Sequence, residues 1–297
     1  MNKFANMQIF ARVAELESFT QAAEQLGIPK ARVSNAVQEL EGHIGLRLLH
    51  RTTRRVRLTS DGMAYYQGCL SILTELDALE SHMQDASTIA GTIRVDMSLG
   101  TAANIVIPFL PEFYAQYPNI KLELSCVDYR VDLVREGFDC VVRIGHMEDS
   151  NLIARRIGDM RILNCVSASY IEKFGEPSTL EDLKQHQLIE YSMTLGAKPY
   201  GFEYWDGKHY SAVQMPSSIS VNNVAAYVAA CQAGLGIIQA PINGVRHYLA
   251  SGELVEVLTQ FSAEPMPVYL VYANRHNISK RVQVFMDWVV EVLKRSI

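Results

Sequence analysis

The residues best suited to chemistry lie in the first sixty positions, and their chemistry is recognition rather than bond-making. Lys30, Arg32, Ser34, Asn35 and Gln38 recur at spacings that gather them on the outward face of one helix. Asn and Gln pair bidentately with adenine edges, Arg with guanine, and Ser and Lys serve phosphates. Arg32, Asn35 and Gln38 are therefore expected to read bases, and Ser34 to hold a phosphate. Farther on, Arg51, Arg54, Arg55 and Arg57 alternate with apolar residues up to Thr59. In a short strand Arg55 and Arg57 would share one face, and Val56 and Leu58 the other. Such a strand suits a basic two-stranded wing, with Arg54 and Arg55 on the phosphate backbone. A charge run alone usually marks only a solvated surface. Here the basic positions coincide with a helix face and with a wing, which favours nucleic acid.

Local signals define the elements that position these residues. Phe4, Met7, Ile9, Phe10, Val13 and Leu16 recur at three- and four-residue spacing, which predicts a first helix. Ser18 with Gln21 three residues on is a capping-box signature for a second helix, running to about Leu26. Ser18 and Thr20, at its start, join the DNA-facing set. Ala22 and Ala23 are small enough for two helices to cross closely, and Gly27 can supply a left-handed turn. A third helix starts near Pro29 and carries Val33, Val37 and Leu40 inward. Helix, glycine turn and helix make a helix-turn-helix.

Charge is distributed unevenly along the chain. Residues 1–60 hold nine Lys/Arg against five acidic residues, whereas all 297 residues carry a net −5. A basic head on an acidic body implies that only the head approaches a polyanion. Five scattered cysteines, with no C-x-x-C pair, read as reduced thiols of a cytoplasmic protein. No apolar run is long enough to cross a bilayer, and the opening residues lack the pattern of a secretion signal.

Ser18-Phe19-Thr20-x-Ala22-Ala23-x-x-Leu26, Val33-Ser34, Leu40-Glu41, Gly45-x-x-Leu48-Leu49-x-Arg51 and Leu58-Thr59-x-x-Gly62 together resemble the N-terminal signature of LysR-type transcription regulators. Leu49 stands where that family usually has Phe. Pro29 stands where Ser or Thr often caps the recognition helix.

Residues 60–87 contain neither proline nor a strand pattern. Tyr66, Cys69, Leu73, Leu76 and Met83 form an apolar seam broken by Glu80, with Leu70 and Leu79 broadening it. That seam suits an antiparallel pair of helices between two chains, or one helix lying on its own domain. The resemblance favours pairing, and so implies a homodimer, with a homotetramer as the larger alternative. Ala90-Gly91-Thr92 reads as a hinge.

Beyond the hinge, strands and helices alternate, which argues for an α/β domain with a mostly parallel sheet. Strands are expected at residues 92–98, 120–127, 140–144 and 268–272. Helices are expected at 105–117, 131–137, 169–174, 180–185, 223–233 and 279–294. Pro111-Glu112-Phe113-x-x-x-Tyr117-Pro118, Asp132-Leu133-Val134-x-x-Gly137-Phe138-Asp139, Arg143-Ile144-Gly145 and Gly234-Leu235-Gly236-Ile237 resemble the two-lobed fold of type 2 periplasmic binding proteins, as LysR-type regulators use it for sensing. The expected organisation is a winged helix-turn-helix over 1–59, a linker helix over 60–90 and an effector domain over 91–297. Its lobes would span 91–162 with 264–297, and 163–263.

In such bodies the ligand lies between lobes, near helix starts and strand ends. The candidates are Ser98, Gly100 and Thr101 before a helix, Arg143 and Gly145 at a strand end, Ser192 in an irregular stretch, and Asn222 before an alanine-rich helix. Each has a local alternative: Ser98, Thr101 and Asn222 as caps, Arg143 in a surface ion pair. These donors favour a small polar or anionic metabolite as effector. The eight histidines show no metal-ligand spacing, and no P-loop, G-x-S-x-G or complete dinucleotide loop occurs. The expectation is a sequence-specific regulator that binds double-stranded DNA, neither an enzyme nor a membrane protein, with no cofactor or metal. A solute-carrying binding protein with the same body is the other alternative, and the head argues against it.

Overall fold

A computed structural model describes residues 2–51, 56–81, 89–145, 147, 152–273 and 278–297. The chain divides into two compact units, residues 1–85 with 275–280 and residues 86–274 with 281–297.

In the first unit α1 (Lys3–Leu16) starts at Asn2, whose side chain accepts from the Ala5 N–H. The Ser18 hydroxyl caps α2 (Phe19–Leu26) by accepting from the Gln21 N–H at 3.3 Å. Gly27 closes that helix at φ 64°, a left-handed conformation that costs glycine little. α3 (Lys30–Ile44) begins after Pro29 with no side-chain cap. β1 (Leu49–Arg51) and β2 (Val56–Leu58) pair antiparallel, with Leu49 opposite Leu58 and His50 opposite Arg57. Phe10, Val13, Ala22, Val33, Ala36, Val37, Leu40 and Leu48 are wholly excluded from solvent and form the core. Burying each large aliphatic chain contributes about 1.5–3 kcal/mol. Phe4 differs from the expected pattern: it is half exposed, lying on the first turn of α1 ahead of that core.

α4 (Ser60–Ser81) follows directly. Its seam is not all available to a second chain. Tyr66 and Cys69 are buried in the core of their own head, and Met63, Tyr65, Leu70 and Leu73 pack against it. Ile72, 42% exposed, and the half-buried Leu76 are absent from that packing. Met83 lies outside the described residues.

The second unit contains a five-stranded sheet in the order β4-β3-β5-β14-β6. β3 (Gly91–Met97) runs parallel to β4 (Ile120–Ser125) and β5 (Cys140–Ile144). β14 (Met266–Ala273) is antiparallel to β5 and to β6 (Leu152–Met160), so the sheet is mixed rather than mostly parallel. The helix expected at 105–117 is broken. α5 (Leu99–Thr101) passes into a π turn (Ala102–Val106), a 3-10 turn (Ile107–Phe109) and α6 (Leu110–Gln116). Pro108 and Pro111 have no N–H to donate, so a continuous α-helical ladder cannot form there. Residues 131–137 form a turn instead of a helix. Glu136 donates its N–H to Asp132, Gly137 takes φ 72°, and buried Leu133 and Phe138 anchor the ends.

A three-stranded sheet has the wholly buried β7 (Ile162–Ser167) at its centre. After β7 come α7 (Ala168–Phe174) and a single 3-10 turn (Asp182–Gln185) where a helix over 180–185 was expected. β8 (Ile189–Tyr191) pairs in parallel with β11 (Ile219–Val221), while β9 (Phe202–Trp205) and β10 (Tyr210–Val213) form a hairpin. α8 (Val224–Gln232), β12 (Ile238–Pro241), α9 (Ile242–Ser251) and β13 (Leu254–Glu256) complete this part, with β12 and β13 flanking β7. α10 (Lys280–Ser296) buries Val282, Phe285, Val289 and Leu293 along one stripe. Among the described residues, no helix is long and apolar enough to cross a membrane.

Candidate nucleic-acid interface and ligand site

The inward face of α3 is fixed by Val33, Ala36, Val37 and Leu40, all fully buried. Helical geometry then turns Lys30, Arg32, Asn35 and Gln38 outward, and all four are exposed, as is Thr20 on α2. Ser34 is half-buried, and Ser18, also half-buried, spends its hydroxyl on the helix cap. On the wing Arg57 is exposed opposite His50, while Val56 and Leu58 are half-buried against the head. Arg51 lies on β1, though its side chain is not described, and Arg54 and Arg55 lie outside the described residues.

Three residues that hold α3 and the wing in place were not singled out for that role from sequence. Glu41 Oε1 accepts from the N–H groups of Leu48 at 2.9 Å and Leu49 at 3.2 Å, tying α3 to β1. Thr59 donates its hydroxyl to the Arg47 carbonyl and accepts from the Gly62 N–H, both at 2.8 Å. Fully buried Asn6 on α1 donates to Glu39 on α3 at 3.0 Å. Glu41 and Thr59 do stand in the N-terminal motif; their partners are backbone groups that only the fold reveals.

In the second unit Ser98 caps α5. Its hydroxyl oxygen lies 2.8 Å from that of Thr101 and 3.4 Å from the Thr101 nitrogen. Thr101 is fully buried, so its hydroxyl serves this cap as the sensor stands; Ser98 is half-buried. A Cβ on Gly100 would lie 3.8 Å from a Val224 methyl, so the starts of α5 and α8 adjoin. Asn223, rather than Asn222, caps α8: its side chain accepts from Ala225 and Ala226. Asn222 is left exposed. Ser192 and Asn222 follow the parallel pair β8 and β11, whose last residues Tyr191 and Val221 are in register. The Ser192 hydroxyl donates to the Thr194 carbonyl at 2.7 Å. Gly145, at φ 104°, gives its N–H to the Pro267 carbonyl.

Arg143 makes neither a surface ion pair nor an open contact. Its Nη1 lies 2.8 Å from Oδ2 of Asp96, whose side chain is completely buried. Burial pushes the Asp96 carboxyl above its ordinary range, while Ser125, Arg143 and the Val127 backbone oppose that shift. Burial raises the Cys126 thiol, and the charges of Asp96 and Asp128 add to that shift. Tyr191 is pushed up to about 12 by burial, with Asp128 adding to the shift. Asp128 accepts from the Val224 N–H at 2.9 Å. The candidates Ser98, Gly100 and Thr101 thus adjoin the start of α8, while Arg143 is spent on Asp96.

Residues 4–63 match the family model described as the bacterial regulatory helix-turn-helix protein, lysR family, and residues 86–294 match the LysR substrate binding domain. The HTH-type transcriptional regulator YhjC of Escherichia coli K12 is 42% identical, the alignment covering 99% of each chain. An HTH-type transcriptional repressor of Pseudomonas aeruginosa is 36% identical over 100% of this chain and 94% of its own. The solved structure of CrgA, a LysR-type transcriptional regulator from Neisseria meningitidis, has a TM-score of 0.62 at 28% identity, covering 97% of this chain and 98% of its own.

Proposed function

The chain belongs to the LysR family of transcription regulators, with a helix-turn-helix DNA-binding domain and a substrate-binding effector domain, and from that premise we propose how its residues divide the work. Members of this family are regulators, not enzymes, and they bind DNA and small-molecule effectors and form oligomers. In our reading residues 1–59 are the DNA head, 60–90 the linker helix and 91–297 the sensor, and the protein acts in the cytoplasm. Arg32, Asn35 and Gln38 read base edges in a major groove, while Lys30, Ser34, Arg51 and Arg57 hold phosphates. The observation that carries this assignment is the division of α3 into a wholly buried apolar face and an exposed polar one.

Gel retardation on the promoter region of its own gene tests the reading. Gln38→Ala should change which sequences are preferred, at about 1–3 kcal/mol for the affected base pair. Arg57→Ala should weaken all sequences alike and lower the salt slope by about 1. Equal losses on every sequence from both substitutions would remove Gln38 from base readout.

The effector, a small polar or anionic metabolite, lies in our reading where the starts of α5 and α8 adjoin. Ser98, Gly100 and Asn222 reach it directly, and Arg143 reaches it once Asp96 is shared. The homodimer uses the part of α4 that its own head leaves open. Placing glutamates at Ile72 and Leu76 buries unpaired charge in that contact and should dissociate the dimer, as read by sedimentation. An unchanged sedimentation coefficient would remove this face from the interface.

A further inference from the structure

We propose that the hydrogen bond from the Val224 N–H to Asp128 is a clasp that holds the sensor's two sheets in one arrangement, and that its release is the step by which the ligand alters DNA binding. Asp128 follows β4 on the five-stranded sheet, and Val224 opens α8, which packs on β7 of the three-stranded sheet. The bond is 2.9 Å long and spans 96 positions of sequence. It therefore ties the two halves of the sensor at the place where the starts of α5 and α8 adjoin. The proposal rests on the reading that the ligand enters there.

Two features make this contact a clasp rather than a fixed strut. The first turn of α8 is saturated by the chain itself: Val224 donates to Asp128, and Ala225 and Ala226 donate to Asn223. Anything seated against that turn must compete with Asp128, while Asn223 keeps the other two amides occupied. The second feature is the state of the carboxylate. One oxygen accepts from Val224, while the other, Oδ1, is buried with no hydrogen-bond partner among the described residues. Stripping water from an unpaired carboxylate oxygen is costly, and that cost offsets much of what the bond to Val224 contributes. A contact near balance can be opened by a ligand of modest affinity, which a fully satisfied buried pair would resist.

Hydrogen exchange and footprinting of the full-length protein test the clasp without any ligand. In Asp128→Ala, exchange of the Val224 amide should quicken by roughly 10-fold or more, the scale of one charge-assisted hydrogen bond. The footprint on the promoter region of its own gene should change with no effector added. Asp128→Asn keeps an acceptor oxygen and should give a smaller shift of both readouts, so it also serves if the alanine variant fails to fold. Unchanged protection at Val224 would overturn the clasp. Lost protection with a wild-type footprint would also overturn it, leaving Asp128 as a cap for α8 alone. A wild-type protein that leaves no footprint would instead remove the functional reading beneath the proposal.

Discussion

Gly62→Ala should abolish DNA binding while leaving the sensor folded. Gly62 is buried in the first turn of α4, and a Cβ built there would collide with the backbone carbonyl of Leu48. That carbonyl accepts from the Thr59 N–H at 3.0 Å, and the Leu48 side chain is fully buried. The Leu48 N–H is held at 2.9 Å by Glu41 of α3. No flexible side chain is present to absorb the overlap, so the methyl must displace β1, the start of α4, or both. The expected cost is about 3 kcal/mol or more, borne by a small head. Calorimetry should show the head's unfolding transition lowered or lost and that of the sensor kept, with no retardation of promoter DNA. Gly68, six residues along the same helix, provides the contrast. It is exposed, and nothing lies within 4 Å of a Cβ there. Gly68→Ala should leave binding intact and stabilise the head by about 0.5–1 kcal/mol. Similar losses from both substitutions would mean that helix propensity, not the carbonyl contact, governs Gly62.

The second large effect is in the sensor. Arg143→Met leaves the wholly buried Asp96 without its cation, and removing one member of a buried pair costs about 3–5 kcal/mol. The pH dependence follows from the direction of the Asp96 shift. Its carboxyl is already held above the ordinary range by burial, with Arg143 among the groups that restrain it. Losing Arg143 raises it further. A carboxyl raised on folding contributes stability that is present below its unfolded pKa and lost as pH rises through its folded pKa. The defect of Arg143→Met relative to wild type should therefore be largest near neutral pH and shrink as pH is lowered toward 5. Adding Asp96→Asn should restore most of the loss by removing the charge altogether. Thermal unfolding over pH 5–8 reads both outcomes, and a defect independent of pH would overturn the assignment.

The head was largely legible in the sequence because its determinants are local. The Ser18 cap and the glycine at position 27 act within four residues of their partners, and the apolar spacing of Val33, Val37 and Leu40 marks the inward face of α3. What sequence did not disclose was the use of α4, since apolar spacing cannot tell a partner chain from the chain's own core. The sensor was less legible. β7 is buried along its whole length and shows no alternation, and β8, β11 and β13 are three residues each. Asn222 and Asn223 stand side by side, and only the extended backbone at Asn223, φ −137° and ψ 132°, makes it the cap. Asp96 between Val95 and Met97 reads as the outward position of an alternating strand, and only the fold shows that its face is covered as well. Asp128 gave no signal, because its partner is a backbone amide 96 positions away.

The position of β14 between β5 and β6 matters for the order in which the protein is made. On the ribosome, β5 and β6 emerge more than a hundred residues before the strand that joins them. Until Met266–Ala273 is released, each keeps an open edge able to recruit another nascent chain. The head's described strand pair, β1 with β2, is complete before α4 begins. Synthesis therefore yields a folded DNA-binding module first and an unfinished sensor behind it. A bacterium that couples translation to transcription would carry this half-made regulator close to the chromosome before it can respond to any metabolite.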